Sequence, residues 1–426
     1  MSFKTELFTH EIENIFTRFS SLIGDHNWTR RVKLIKEEIK GNSFLSDYLM
    51  KENSVAITLN KFTSYIKSLG HIPSFELSNR QYYPAISFAA QIISLVDAYP
   101  KKEGEILIKR VRGAFKNPDD MRALQLELLA ATHFTRRKFN VTWPEMVGID
   151  RFDILINDIG ANGLEIECKS IGPNKGKKIH RRETLEFYSL FKKELKKKTR
   201  DMNYGLSIVL TVNNKLPSSY QERINMISNI KSNITNSSQQ TPYTDYIIET
   251  KVFDFKLLDK DLENKTFNLD DVEDITNTIN KGALVIVNQH DNGGVVFVLQ
   301  SKKDDNLSSY IKKTIAESSK KQLTNSRAAV FVVGLSEISD SELKELANYD
   351  LSDTNHSNPT ALKIIGNDIL NSDNRGHIVA ISFLDSGVFR ENDTSSVSRG
   401  STSYTFSNND SPLWHDDFDS LFIETK

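Results

Sequence analysis

The chain has 426 residues, of which 38% are hydrophobic and 26% are charged, and this balance excludes a mostly disordered protein. Lysine and arginine total 55 against 56 aspartate and glutamate residues, so the chain as a whole is not a basic nucleic-acid coat protein. The single cysteine, Cys168, excludes internal disulfides and cysteine-based zinc fingers, and no apolar run reaches the roughly 18 residues of a membrane span, so we expect a cytoplasmic protein without a membrane segment.

Helical periodicity dominates the first third of the chain. Apolar residues recur every three or four positions, and this spacing predicts helices within 5–23, 28–49, 83–98 and 118–138. The last helix begins after Asn117, with acids in its first turn, which is a typical helix start. We therefore predict an α-helical N-terminal region over residues 1–100.

Short β-type runs alternate with helical runs from about residue 141 onward. We predict strands at 152–156, 164–170, 206–212, 246–255, 283–287, 295–299, 328–333 and 377–383, and helices at 184–198, 218–230, 306–321 and 339–346. This alternation favours an α/β domain with a mixed β-sheet flanked by helices, which we place at residues 101–390.

The C-terminal segment 391–426 has a different composition. Ten of the 18 residues from 394 to 411 are serine or threonine, which predicts a linker. An acidic-aromatic tail follows, in which Trp414 and Phe418 are four residues apart. Residues 413–424 could dock on a protein partner as a short helix. The alternatives are a helix that packs on its own domain and a frayed tail.

The most informative region is the pair of strands predicted at 152–156 and 164–170. The residues between them, 157–163, are typical of a turn, so the simplest arrangement is an antiparallel hairpin. Pairing from the turn outward places Ile156 opposite Leu164. This register fixes which side chains share a face of the hairpin.

With that register, Asp153 lies opposite Glu167, and Lys169 points to the same side because strand side chains alternate. Two neighbouring carboxylates repel each other, and a divalent metal removes the conflict. Oxygen ligands suit Mg²⁺ or Mn²⁺, and the backbone carbonyl of Cys168 could add another oxygen. Metal-activated water beside a lysine is suited to phosphodiester hydrolysis. The alternative is a surface hairpin whose charges are solvated.

A third carboxylate, Glu127, comes from the helix predicted at 118–138. It is the only ionisable residue between Ala123 and Ala131. A buried carboxylate is costly without a partner. A metal, a metal-bound water or Lys169 would serve as that partner.

Together these elements resemble the PD-(D/E)xK nuclease superfamily, which has the restriction-endonuclease-like fold. Its pattern is a helix with a glutamate, a strand with an aspartate and a strand with Asp/Glu-x-Lys, matched here within Met121 to Arg200. The resemblance implies that Asp153 and Glu167 bind the metal and that Glu127 joins through water. It also implies that Lys169 positions the attacking water.

The resemblance implies a Mg²⁺- or Mn²⁺-dependent DNA endonuclease used in restriction or anti-phage defence. The chain lacks the family's proline before Asp153, and Asp150 is a rival for the motif aspartate, although three aliphatic residues follow Asp153. A homodimer would let two sites cut two strands, and RNA is an alternative substrate. The alternative function is a non-catalytic nucleic-acid-binding or scaffold module of a defence complex, in which the carboxylates are only structural.

Positive charge is concentrated after the motif. From Lys169 to Arg200 there are 12 basic and 3 acidic residues, a local net charge of +9 against −1 for the chain. We expect the first part of this segment to contact nucleic-acid phosphates. The predicted contact residues are Lys175, Lys177, Lys178, His180, Arg181 and Arg182. For Lys196 to Arg200, a solvated helix face is the alternative.

Overall fold

The computed structural model describes residues 3–200, 202–234, 239–258, 260–261, 266–278, 283–288, 292–352, 358–385, 387–392 and 396–421. The chain divides into two compact units. The first comprises residues 1–37, 50–175 and 307–426, and the second comprises 38–49 and 176–306. The second unit takes residues from both the predicted N-terminal region and the predicted α/β domain, and no boundary between the units falls at residue 100 or 390.

The chain up to residue 175 is rich in helices. Its elements are β1 (Glu6–Phe8), α1 (Ile12–Ile23), α2 (His26–Gly41), α3 (Ser46–Glu52), α4 (Ser54–Leu69), α5 (Ser74–Leu77), α6 (Tyr83–Ala98), α7 (Lys101–Ala114), α8 (Pro118–Arg136), β2 (Val141–Thr142), α9 (Pro144–Val147), β3 (Ile154–Ile156) and β4 (Leu164–Ile171). Apolar faces of these helices form a core in which Trp28 stacks on Phe19, with 5.8 Å between ring centroids.

The second unit has its own five-stranded sheet. Its elements are α10 (Arg181–Thr199), β5 (Gly205–Val212), α11 (Tyr220–Ser232), β6 (Gln239–Pro242), β7 (Tyr246–Phe253), β8 (Lys260–Asp261), β9 (Thr266–Phe267), α12 (Leu269–Thr276), β10 (Ala283–Val287) and β11 (Gly294–Ser301). The strand order is β10-β11-β5-β7-β6, with β11 and β5 parallel. Phe191 of α10 stacks on Phe297 of β11, which anchors α10 on one face of this sheet.

The remaining elements belong to the first unit. They are α13 (Leu307–Lys321), β12 (Ala328–Leu335), α14 (Asp340–Ser352), α15 (Ala361–Leu370), β13 (Ile378–Leu384), β14 (Val388–Asn392), β15 (Ser396–Gly400), β16 (Ser403–Ser407) and a 3-10 helix at Asp416–Leu421. The Ser/Thr-rich segment is therefore not a linker, and that prediction is wrong. Its polar residues alternate with buried Val397 and Tyr404, so β15 pairs with β1 and β14, and β16 pairs with β13.

A six-stranded mixed sheet in the first unit positions the candidate site. Its order is β16-β13-β12-β4-β3-β2, with β4, β12 and β13 parallel. Helix α8 packs against one face of the sheet. Its Leu126 side chain lies directly over Gly334 of β12, where a Cβ atom would come within 2.9 Å of Leu126 Cδ1. Apolar residues of α13 and α15 cover the other face. Side chains on both sides of β4 are therefore buried.

The structure is a mixed α/β protein with mixed sheets flanked by helices, as predicted. All eight predicted strands are present in it, with small shifts at their ends. Within the described ranges, no helix is long and apolar enough to cross a membrane.

Candidate active site

The hairpin of β3 and β4 has the predicted register. The two strands are antiparallel, with Ile156 opposite Leu164 and Ile154 opposite Ile166. The turn ends at Gly163, whose φ is +80° and whose Cβ, if present, would lie 2.8 Å from the Ile156 carbonyl oxygen. Only glycine fits this turn without strain. The pairing on which the site prediction depends is therefore confirmed.

Asp153 lies immediately before β3 and is 7% exposed. Because β3 starts at Ile154 while β4 continues to Ile171, the strand ladder stops beside this aspartate. The Cys168 backbone N–H donates a hydrogen bond to Asp153 Oδ2, at 2.8 Å. The N–H and C=O of one strand residue point to the same side. The Cys168 carbonyl therefore points toward the edge where Asp153 lies.

Glu167 and Lys169 form an ion pair on β4. Glu167 is completely buried, and its Oε1 accepts a hydrogen bond from Lys169 Nζ at 2.5 Å. Lys169 Nζ also donates to Gln322 Oε1, at 2.8 Å. Glu167 Oε2 is buried and has no hydrogen-bond partner in the part of the chain that the structure describes. The carboxylates are not solvated, which excludes the surface-hairpin alternative.

Glu127 is buried on α8, as predicted, but its partner is one that the sequence did not indicate. Arg110 of α7 contacts Glu127 Oε1 at 2.5 Å and lies 3.7 Å from Glu145 Oε2. Lys169, which was one of the predicted partners of Glu127, contacts Glu167 and Gln322 instead.

Arg110 and Gln322 are the residues of this cluster that the sequence analysis missed. The sequence indicated only that a buried Glu127 needs a partner. It did not indicate which of the five basic residues of α7 that partner is. No sequence pattern indicated Gln322, because it is 153 residues from Lys169 in sequence.

Burial raises the pKa of all three carboxyl groups. Together with the charge of Asp153, it raises the pKa of Glu127 and of Glu167 to about 8, although Arg110 and Lys169 act in the opposite direction. Burial also raises the pKa of Asp153 to about 6, against the effect of the Cys168 N–H. Arg110 and Lys169 thus face these three carboxylates, and Arg110 also lies 3.7 Å from Glu145, so an added positive charge would stabilise the ionised cluster.

The donor chemistry of this cluster fits Mg²⁺ or Mn²⁺. Asp153 and Glu167 offer carboxylate oxygens, and Cys168 offers a backbone carbonyl. The unpartnered Oε2 of Glu167 is the observation that favours a cation most directly. No three acidic, histidine or cysteine side chains of the described residues converge on one point as a metal site. Glu127 is held by Arg110, so Asp153 and Glu167 are the residues that would hold the ion.

Two nearby acids provide a contrast. Glu165 is two residues before Glu167 on β4 and is equally buried, but it accepts hydrogen bonds from the Thr324 backbone N–H, at 3.0 Å, and from the Thr324 hydroxyl. Arg327 lies 3.6 Å from Glu165 and 3.8 Å from Asp150. Asp150, the rival motif aspartate, is therefore an ion-pair partner of Arg327.

A pocket of about 630 Å³ opens beside the cluster. Its lining includes Gln322, which contacts Lys169, and Glu145, which lies near Arg110. Asp150 also lines it. The pocket therefore brings solvent to the side chains that hold Lys169 and Arg110.

Lys175 and Arg182, which belong to the predicted phosphate-contacting group, make ion pairs within the chain. Lys175 belongs to the first unit and lies 3.3 Å from Asp119. Arg182 belongs to the second unit and contacts Glu38 at 2.6 Å and Glu186 at 2.9 Å. These pairs hold both side chains in place, and contact with phosphate stays a prediction for them.

The other four members also lie in the second unit. Lys177 and Lys178 are partly buried, whereas His180 and Arg181 are exposed. His180 caps α10, and its backbone N–H donates to Glu183 Oε2 at 3.0 Å. For these residues, too, nucleic-acid contact stays a prediction.

The described part of the C-terminal tail, residues 413–421, packs on the first unit. Phe418 and Leu421 are buried in its core. The ring nitrogen Nε2 of His133 lies 2.8 Å from the Leu421 carbonyl oxygen. These residues thus follow the alternative in which the tail packs on its own domain. Residues 422–424 of the predicted docking segment lie outside the described residues.

Comparisons with known proteins give no relatives. No family model matches the chain, and no curated protein or solved structure matches it.

We expect the metal-free protein to lose stability as the pH rises from about 4.5 to about 8. In this window the folded state binds more protons than the unfolded state, because the pKa values of Glu127 and Glu167 are about 8 in the fold and 4.5 without it. The free energy of unfolding therefore falls with rising pH. Urea denaturation in EDTA measures it.

Glu167→Gln should flatten this profile, because it removes one of the two groups. Glu165→Gln should flatten it less, since Thr324 and Arg327 oppose the effect of burial on the pKa of Glu165. Identical slopes for wild type and Glu167→Gln would show that the pKa of Glu167 is not raised.

Proposed function

We propose that the protein is a metal-dependent DNA endonuclease with a restriction-endonuclease-like core. The observation that carries the proposal is the buried, unpartnered Oε2 of Glu167 in a cluster with Asp153 and Lys169. Glu165, the equally buried acid two residues earlier on β4, differs in having both oxygens hydrogen-bonded.

The order of the elements supports the same proposal. Glu127 lies on α8, Asp153 precedes β3, and Glu167-Cys168-Lys169 lies on β4, which is the order of the PD-(D/E)xK pattern. The antiparallel pairing of β3 and β4 brings the aspartate to the Asp/Glu-x-Lys strand.

In hydrolysis, each of the clustered residues would have a separate role. A bound Mg²⁺ would supply a Lewis acid for the scissile phosphate and polarise a water. Asp153 and Glu167 would hold the ion through their carboxylate oxygens. Lys169, fixed by Gln322, would orient the attacking water and stabilise negative charge on the phosphate. Attack on phosphorus breaks the P–O3′ bond and leaves 5′-phosphate and 3′-hydroxyl ends.

Glu127 would have a positioning role. Its contact with Arg110 holds the carboxylate on α8 at a fixed place, close enough to Asp153 for their charges to interact. From there it could accept a hydrogen bond from a water of the metal shell, as the resemblance implies. The DNA substrate is supported by the basic segment that follows Lys169.

Plasmid cleavage tests this proposal. The purified protein should nick or linearise plasmid DNA in Mg²⁺ or Mn²⁺ but not in EDTA. Asp153→Asn should lower the rate by about 10²-fold or more, because the substitution removes a charged metal ligand. Asp150→Asn is the matched control and should cut at nearly the wild-type rate.

Two outcomes would contradict the proposal. DNA binding without metal-dependent cutting by any of the three proteins would favour the non-catalytic binding module. If Asp153→Asn still cuts DNA and Asp150→Asn does not, the active site would include Asp150, at the edge of the pocket beside Arg327, and not Asp153.

A further inference from the structure

Helix α10 of the second unit has two chemically distinct faces. One face is buried in the core of that unit and consists of Phe187, Tyr188, Phe191, Leu195 and Thr199. The C-terminal half of the opposite face is exposed and basic. This surface, the α10 basic face, consists of four residues of the helix and the residue that follows it, namely Lys192, Lys193, Lys196, Lys197 and Arg200.

The α10 basic face is not neutralised by acids of its own chain. Among the residues that the structure describes, none of its five members makes an ion pair. Glu194, the acid nearest to it in sequence, lies 3.7 Å from Lys231. Lys192 lies over the Phe44 ring, 5.3 Å from its centroid, which leaves its charge uncompensated.

Helix stability does not explain this charge. Lys192 and Lys196, like Lys193 and Lys197, are four residues apart, and like charges at this spacing destabilise a helix. The helix dipole favours cations only in the last turn. Lys193 lies before that turn and has no carboxylate or ring partner among the described residues, so its charge costs stability without a structural gain.

The dimensions and composition of the face fit duplex DNA. From Lys192 to Arg200 it extends about 12 Å along the helix axis. A duplex presents roughly seven phosphate charges over that length. None of its five side chains is aromatic, and the one ring beside them among the described residues, Phe44, is partly buried under Lys192, so the face offers no row of rings on which successive unpaired bases could stack.

We propose that the α10 basic face binds the phosphate backbone of duplex DNA. This inference rests on the proposed function and names a substrate-binding surface for it in the second unit. The contact is independent of base sequence, because lysines on phosphates carry no base readout. It supplies affinity for the duplex.

The test compares two triple variants of the full chain in EDTA. The first is Lys193→Gln, Lys196→Gln and Lys197→Gln on α10. The control is Lys251→Gln, Lys256→Gln and Lys303→Gln, three exposed lysines of the same unit, with the same loss of charge. Fluorescence anisotropy with a short DNA duplex, over a range of NaCl concentrations, gives affinity and salt dependence.

We expect the α10 variant to bind at least about tenfold more weakly at low salt, with the slope of log K against log[salt] smaller by about three. The control should bind like wild type. Equal weakening in both variants, or no duplex binding by wild type, would overturn the inference. Tighter wild-type binding to an RNA duplex or to single-stranded DNA would overturn the assignment to duplex DNA.

Cleavage in Mg²⁺ by the same wild-type preparation separates this inference from the proposed function. Binding that depends on α10 without any cleavage would leave the inference standing and refute the nuclease. Cleavage by a protein whose DNA binding does not depend on α10 would refute the inference and support the nuclease.

Discussion

Replacing Lys169 with methionine should lower DNA cleavage by about 10² to 10⁴-fold while leaving metal binding intact. Lys169 Nζ lies 2.5 Å from Glu167 Oε1 and 2.8 Å from Gln322 Oε1, so its charge is held beside the expected metal site. Methionine keeps most of the side-chain volume and removes the charge. Because a cation next to the site repels Mg²⁺, metal affinity should stay the same or increase.

Single-turnover cleavage and calorimetric Mn²⁺ titration check the two parts of this result. Gln322→Leu is the companion variant, since it removes the second anchor of Lys169 and keeps its charge. We expect it to lower kcat by about tenfold with little change in KM. A Lys169→Met protein that cuts at the wild-type rate would show that Lys169 only neutralises Glu167.

Arg110→Met should destabilise the protein by about 2 kcal/mol at pH 8. Breaking a fully buried ion pair by removing one partner costs about 3–5 kcal/mol, and the Arg110 side chain is 35% exposed, which reduces the loss. At pH 6 the loss should be smaller. The pKa of Glu127 is about 8, so its carboxyl group is already mostly protonated at pH 6 in the fold.

A double-mutant cycle checks this assignment. Glu127→Gln removes the charge that Arg110 compensates, so Arg110→Met should cost less in that background. Urea denaturation of the four proteins at pH 6 and pH 8 gives the coupling energy. Equal losses with and without the Glu127 carboxylate would show that Arg110 stabilises the fold through packing and not through its charge.

The hairpin could be predicted because its information is local. A turn of seven residues and the strand alternation around it fix which residue lies opposite which, and the observed pairing of Ile156 with Leu164 follows. The buried state of Glu127 also followed from the sequence, since the helix around it is apolar almost all round.

Other features could not be predicted, because they depend on contacts distant in sequence or on patterns that composition conceals. Gln322 reaches Lys169 from 153 residues away. The second unit interrupts the first at residues 176 and 306, and contacts between residues distant in sequence define these boundaries. The Ser/Thr-rich segment was predicted to be a linker because of its serine and threonine content. Its polar residues alternate with Val397 and Tyr404, and that pattern is typical of strands.

We propose that the buried Glu167 carboxylate binds a divalent cation. The rise in unfolding temperature caused by Mn²⁺ at pH 8 tests it most directly, since a ligand that binds the folded state raises that temperature. We expect a rise in wild type and in Glu165→Gln, and none in Glu167→Gln. An equal rise in all three proteins, or no rise in wild type, would contradict it.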